Sequence, residues 1–184
     1  MIPRKRDFPV SQVRRFLEPG PVVLVSSFHR GARNIMTLGW HTVLEFSPSL
    51  VGCMIWSGNH SFEMIRRSKE CAINIPTVAL AKTVVDIGNC SGADTDKFAK
   101  FGLTAAKAEK IAAPLVGECH ANLECRLVDA RMVPRYNFFV FEVVKAHAAP
   151  RPKYPATIHY RGEGHFMVAG RTLDLSRRFR PEML

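Results

Sequence analysis

The sequence predicts a mainly β protein, an antiparallel barrel with peripheral helices. Two observations lead there. At least six strand-length apolar runs follow one another mostly as neighbours, as antiparallel pairing allows. Helical patterns stand between only a few of them, whereas a parallel βαβ sheet needs one at each crossover. Closing such a sheet also removes its exposed edges. The 184 residues hold no internal repeat or low-complexity linker, and 47% are apolar, so one domain spanning 1–184 with a continuous core is expected.

Residues 10–17 carry a short helical pattern with Ser11 as cap, ended by Pro19-Gly20-Pro21. Residues 22–28 form the strongest strand pattern, 29–33 a turn, and 34–41 the next strand. Residues 42–46 continue irregularly, and Pro48 precedes a third strand over 50–56. Residues 61–69 read as a helix, with Phe62, Ile65 and the later Cys71 towards one side and Glu63, Arg66 and Arg67 outward. A fourth strand over 70–75 stops at Pro76. Residues 78–87 and 94–101 suit helices, and 103–111 carry a weaker helical pattern. Residues 119–129 and 136–147 alternate as two long strands. The C-terminal stretch is rich in Pro, Gly and Arg, with one strand at 165–168.

The formal charge of +10 invites a nucleic-acid reading, but the charge is unevenly spread. Arg4, Lys5, Arg6, Arg14 and Arg15 crowd one end, and Arg171, Arg177, Arg178 and Arg180 the other. No nucleic-acid motif accompanies them, so the expected partners are anionic small molecules such as phosphorylated cofactors. No apolar run reaches the roughly 20 residues that span a bilayer. The basic N-terminus lacks the apolar segment of a secretory signal, so a cytoplasmic protein is expected. The five cysteines are odd in number and show no C-x₂-C spacing, which argues against a disulfide framework. Cys119 and His120 are adjacent and point to opposite faces of a strand, so a metal cluster with Cys125 is not expected.

The sequence has no Gly-rich dinucleotide fingerprint, no P-loop and no nucleophile elbow. Two other segments carry polar chemistry. Ser57-Gly58-Asn59-His60-Ser61 follows a strand and opens a helix. Its donors, its glycine and the free N–H groups of a helix start together suit a phosphate, although ordinary capping would also use them. The segment 89–98 again places small donors before a helix, and Lys97 adds a full charge that could offset a phosphate dianion.

Four motifs in order, Asn34-Ile35-Met36-Thr37-Leu38-Gly39-Trp40, Ser57-x-Asn59-His60-Ser61, Ala72-Ile73-Asn74-Ile75-Pro76 and Ser91-Gly92-x-x-x-Asp96-Lys97-Phe98, resemble the flavin reductase-like, FMN-binding split-barrel family, most strongly its flavoredoxin-like branch. The likeness covers about residues 10–170, and its end overlaps a C-terminal extension over 150–184. It implies a six-stranded Greek-key split barrel, a homodimer, and FMN bound near the subunit interface. Met36, Thr37, Leu38, Gly39 and Trp40 would line the isoalloxazine. Ser57, Asn59, His60 and Ser61 would hold the phosphate and ribityl chain, with Ser91 and Lys97 near the cofactor. NADH or NADPH would be the reductant, and free flavin, a ferric complex or a protein the acceptor. The alternative is an FMN-binding electron carrier or flavin store. No catalytic side chain or metal is implied, since hydride transfer to a flavin needs no side-chain acid or base. The chain departs from many relatives at Ser61, where they have Thr, and at Gly39, where they have Ser or Ala. It also has Asn137 where several carry His.

Overall fold

A computed structural model describes residues 20–180; the helix expected over 10–17 lies outside them. The strands are β1 (Val23–His29), β2 (Ala32–Leu38), β3 (His41–Glu45), β4 (Leu50–Met54), β5 (Glu70–Ile75), β6 (Ala105–Ala106), β7 (Leu115–Val116), β8 (Ala121–Asp129), β9 (Phe138–Ala148), β10 (Ile158–Gly162) and β11 (His165–Val168). The helices are α1 (His60–Ser68), α2 (Ala81–Gly88), α3 (Lys97–Lys100) and α4 (Val133–Tyr136).

Seven strands form one antiparallel sheet in the order β2-β1-β5-β8-β9-β4-β3, and β6–β7 and β10–β11 are separate two-stranded pairs. The sheet's two edges, β2 and β3, are consecutive in the chain, with only Gly39 and Trp40 between them. Across a two-residue link the strand ends lie at most about 11 Å apart. The sheet must therefore curl until its edges nearly meet, without pairing with each other. That is a split barrel, with one more strand in its main sheet than the six expected.

The strand pattern explains the two cores. β1 alternates between them: Val23 and Val25 face the barrel interior, while Val22 and Leu24 face an outer cluster. A strand buried on both faces reads as a continuous apolar run, as 22–28 does. The interior holds Met36, Leu38, Cys53, Ile55, Cys71, Ile73, Cys125, Phe139 and Phe141. From α1, Phe62 and Ile65 close it, and Phe62 meets Phe139 edge-on at 5.3 Å. The outer cluster packs Val84 and Ile87 of α2 and Phe98 of α3 against Ile35. The β1–β2 turn is a two-residue hairpin in which Arg30 (φ 49°) and Gly31 (φ 82°) are both left-handed, as the strand twist favours.

The helix expected over 94–101 shrinks to the single turn of α3, because Asp96 and not Asp94 caps it, accepting from Phe98 N and Ala99 N. No helix forms over 103–111, despite its alanines. Glu124, fully buried, accepts the Glu109 N–H at 3.0 Å and the Lys110 N–H at 2.6 Å, and bonds His147 Nε2 at 2.7 Å. Burial alone would raise this carboxyl's pKa; the two N–H donors and His147 outweigh it and hold Glu124 below the usual carboxylate range. Those tertiary bonds claim backbone donors that a helix would need. At the C-terminus the expected strand at 165–168 is β11, and the unexpected β10 pairs with it.

Asn74 ties β1, β5, β8 and the β7 segment together. Its Nδ2 donates to Leu24 O at 3.0 Å and Ser26 Oγ at 3.1 Å; its Oδ1 accepts from Val116 N at 3.0 Å and Asn122 Nδ2 at 2.8 Å. With Asn74 fully buried, Asn74→Ala leaves several of these partners unsatisfied and is expected to lower the unfolding free energy by about 2–3 kcal/mol. A urea titration measures this; a loss under about 0.5 kcal/mol, the range of an ordinary surface change, would show that the network contributes nothing.

Candidate functional site

The barrel opens where the chain leaves β2 for β3, and two adjoining clefts occupy the opening. One, of about 260 Å³, is lined by polar groups from β2, the start of α1 and the 87–97 segment. The other, of about 460 Å³, is lined by Met36 to Trp40, Met54, Trp56 and Tyr160. Met36, Thr37 and Asn59 belong to both, so they form one trough with a polar and an aromatic end.

The polar end is built by three segments. β2 supplies Asn34, buried at 2% exposure, whose Nδ2 donates to the Ser61 Oγ at 2.9 Å. Its Oδ1 is buried and has no hydrogen-bond partner among the described residues. A Cβ built on Gly92 would overlap this amide, so the close approach of the 88–92 segment requires glycine there. Thr37 Oγ1 donates to Val84 O at 2.6 Å and fixes α2 beside β2.

The start of α1 is the second segment. Asn59 holds the N-cap position with extended backbone (φ −76°, ψ 134°), yet its side chain makes no capping bond. The first-turn N–H groups of α1 therefore lack the side-chain acceptor that usually serves them. Ser61 is fully buried and accepts from Asn34, which leaves its own hydroxyl hydrogen to donate.

The third segment brings Lys97. Its side chain is 5% exposed, and Nζ donates to Ile87 O at 2.9 Å. Among the described residues no carboxylate pairs with it. Burial pulls its pKa below the ordinary lysine value. A buried ammonium with one neutral acceptor is costly unless an anion completes it. In the single-turn α3 the Phe98 and Ala99 N–H groups are already taken by Asp96, which also pairs with Arg33 at 2.8 Å. The expectation of a second donor-rich helix start is thus replaced by the Lys97 side chain.

Of the residues singled out in the sequence, the polar end gathers Met36, Thr37, Asn59, His60, Ser61, Ser91 and Lys97. The aromatic end gathers Leu38, Gly39 and Trp40 with the shared Met36, Thr37 and Asn59. Ser57 is exposed in the turn before α1 and lines neither cleft. The sequence reading missed Asn34, Cys90, Trp56 and Tyr160. Asn34 carried a usable signal: it falls in phase with Met36 and Leu38 on the core face of β2, where a polar residue needs a partner. Tyr160 carried none, since only the tertiary position of the β10–β11 hairpin brings it to the cleft. Cys119 and Cys125 lie in different cores, the outer and the inner.

The profile of the flavin reductase like domain matches residues 14–168 of this chain. An uncharacterized protein of Archaeoglobus fulgidus is 33% identical over 150 residues, 80% of this chain and 85% of its own. An FMN-binding domain of a flavin reductases-like enzyme from Shewanella baltica is 26% identical, with a TM-score of 0.77 over 91% of this chain and 95% of that one. Flavoredoxin from Methanosarcina acetivorans shares the fold, with a TM-score of 0.82 over 99% of this chain and all of its own at 23% identity. With most of its length matched by the family profile, and a split barrel that opens at the β2–β3 link, this chain belongs to the flavin reductase-like domain family.

Proposed function

We propose that this protein binds FMN in the β2–β3 trough and acts as a flavin-dependent oxidoreductase, with NADH or NADPH as reductant. The observation that carries the reading is Lys97, a buried ammonium that no carboxylate of the described residues pairs, at the polar end of a trough whose other end is aromatic. The residues fit the cofactor. Lys97, Ser61, Ser91 and the first turn of α1 offer donors and positive charge to a phosphate. Asn34 and Ser61, hydrogen-bonded to each other, form the polar wall beside it. The outer edge of β2 at Met36 to Leu38 borders the trough, and its backbone polar groups suit the rim of a flavin ring. When bound, the flavin supplies hydride and electron-transfer chemistry. The protein's part is to hold the phosphate, orient the ring and exclude water from one of its faces.

The second reading, an electron carrier or flavin store, is favoured by Asn137. At a position where several relatives carry His, it holds a left-handed cap (φ 55°) after α4, and its carbonyl accepts the Ile55 N–H at 3.0 Å. That is a backbone duty, and it supplies no imidazole to a nicotinamide site.

A homodimer is part of the proposal. Trp40, Val43, Leu44, Phe46 and Trp56 stand between 45% and 87% exposed on and beside the edge strand β3. A run of this kind at a sheet edge beside a ligand cleft suits a second copy of the chain. Light scattering is expected to give twice the chain mass; a monomer with flavin still bound would remove this part of the proposal.

FMN is expected to bind more tightly than riboflavin, and fluorescence titration of both flavins measures the gap. Lys97→Met is expected to weaken FMN by about 1.5–3 kcal/mol, ten- to a hundredfold, and to leave riboflavin nearly unchanged. Wild-type FMN affinity is expected to fall as pH rises towards the lysine range, because the anion needs a protonated Lys97, while Lys97→Met shows no such fall. Equal loss for both flavins would assign Lys97 to the fold.

Anaerobic mixing of the FMN-loaded protein with NADH, then NADPH, separates the two functional readings. Bleaching of the flavin band within seconds is expected for the oxidoreductase. A flavin that dithionite reduces but neither nucleotide does would leave the carrier.

A further inference from the structure

Four of the five cysteines are core residues. Cys53, Cys71, Cys119 and Cys125 are between 0% and 8% exposed. Burial drives the Cys53 and Cys119 thiols well up, Cys119 to about 12, so neither offers a thiolate at neutral pH. Cys71 is also raised well above the ordinary thiol value, first by its hydrogen bond with Cys125 and then by burial. Cys90 alone is only partly buried, and it lines the polar end of the trough.

Its surroundings are specific. Cys90 Sγ and Lys97 Nζ approach the same acceptor, the Ile87 carbonyl, at 3.9 and 2.9 Å. The thiol therefore sits beside a buried ammonium that no carboxylate of the described residues neutralises. On the wall of the same cleft Lys97, 5% exposed, holds its ammonium on one neutral carbonyl, an independent sign that the cleft takes an anion. The same groups that would receive a phosphate would receive the carboxylates of a small anionic disulfide, and would bring its sulfur to Cys90.

Resting on the FMN reading above, we propose that Cys90 is a modification site, where a mixed disulfide with an anionic low-molecular-weight thiol occupies the phosphate end of the trough and blocks cofactor loading. The exchange balances without another oxidant. Cys90 gives up its thiol proton, and its sulfur bonds to one sulfur of the disulfide reagent. The reagent's S–S bond breaks, and the departing thiolate takes up a proton. Lys97 offsets the anionic arm of the adduct. A dithiol reverses the step and reopens the site, so loading of the flavin follows the thiol redox state around the protein.

The test uses the whole apo chain and 5,5′-dithiobis(2-nitrobenzoate), an anionic disulfide whose released thiolate is coloured. One fast-reacting thiol per chain is expected, lost in Cys90→Ser and also in Cys90→Ala. FMN at about ten times its dissociation constant is expected to slow the reaction about tenfold, in proportion to the sites left open. The modified chain is expected to lose FMN binding and to regain it with dithiothreitol. Equal reaction of several thiols, or fast labelling that survives both substitutions, would overturn the assignment to Cys90. FMN that binds by equilibrium dialysis yet neither protects Cys90 nor is displaced by the adduct would overturn this inference alone. No FMN binding to the unmodified chain would overturn the cofactor reading, and the loading switch with it.

Discussion

The link Gly39-Trp40 is the constraint on which the rest depends. It joins the two edges of a seven-stranded sheet, so the sheet must curl; yet β2 and β3 diverge instead of pairing, so the wall stays open there. An unpaired edge is ordinarily a liability, because its N–H and C=O groups have no partners. Here the edge is covered on one flank by α2, through Thr37 and Val84. The remaining length borders the trough. A closed barrel of the same strands would bury these groups in a ladder and leave no site.

Electrostatics at the opening follow from the packing around it. Phe98 reaches the outer cluster beside Ile35, and the same single turn of α3 carries Lys97, whose Nζ donates to Ile87 O. Arg33 helps hold that turn, pairing with Asp96 and lying over the Phe98 ring at 5.0 Å. The basic group is thus delivered to the cleft by an apolar anchor one residue away. The polar residues of β2 and α1 then match it: Asn34 Nδ2 donates to Ser61 Oγ, which leaves the Ser61 hydroxyl hydrogen for the cleft.

Much of the fold was legible because its signals are local. The run at 22–28 read as a strand, and the structure shows why it lacks alternation: β1 is buried on both faces. The strand over 70–75 was bounded by its own chemistry, with Pro76 at its end, and it matches β5 residue for residue. The failures are tertiary. The alanines at 105, 106, 108, 112 and 113 favour helix locally. Glu124, more than ten residues downstream, takes the N–H groups of Glu109 and Lys110 and decides otherwise. The site shows the same division. Motif residues within one segment could be named, whereas Tyr160 belongs to the cleft only because Val22 N bonds Ile158 O and docks the β10–β11 hairpin against β1.

The trough's composition also fixes how occupancy and stability are coupled. Its lining comes from β2, the turn before α1, the 87–97 segment and the β10–β11 hairpin, segments that meet there through few bonds of their own. Asn34 and Lys97 are buried polar groups with incomplete partners, and each costs the empty fold free energy that a fully satisfied core would not lose. An anion bound at the polar end would offset the Lys97 charge. Because the deficits exist only in the folded chain, such a ligand stabilises that state by mass action as well as filling it. The same reasoning places the least stable part of the molecule at its opening, since there the fold leaves the Lys97 ammonium with no carboxylate partner among the described residues.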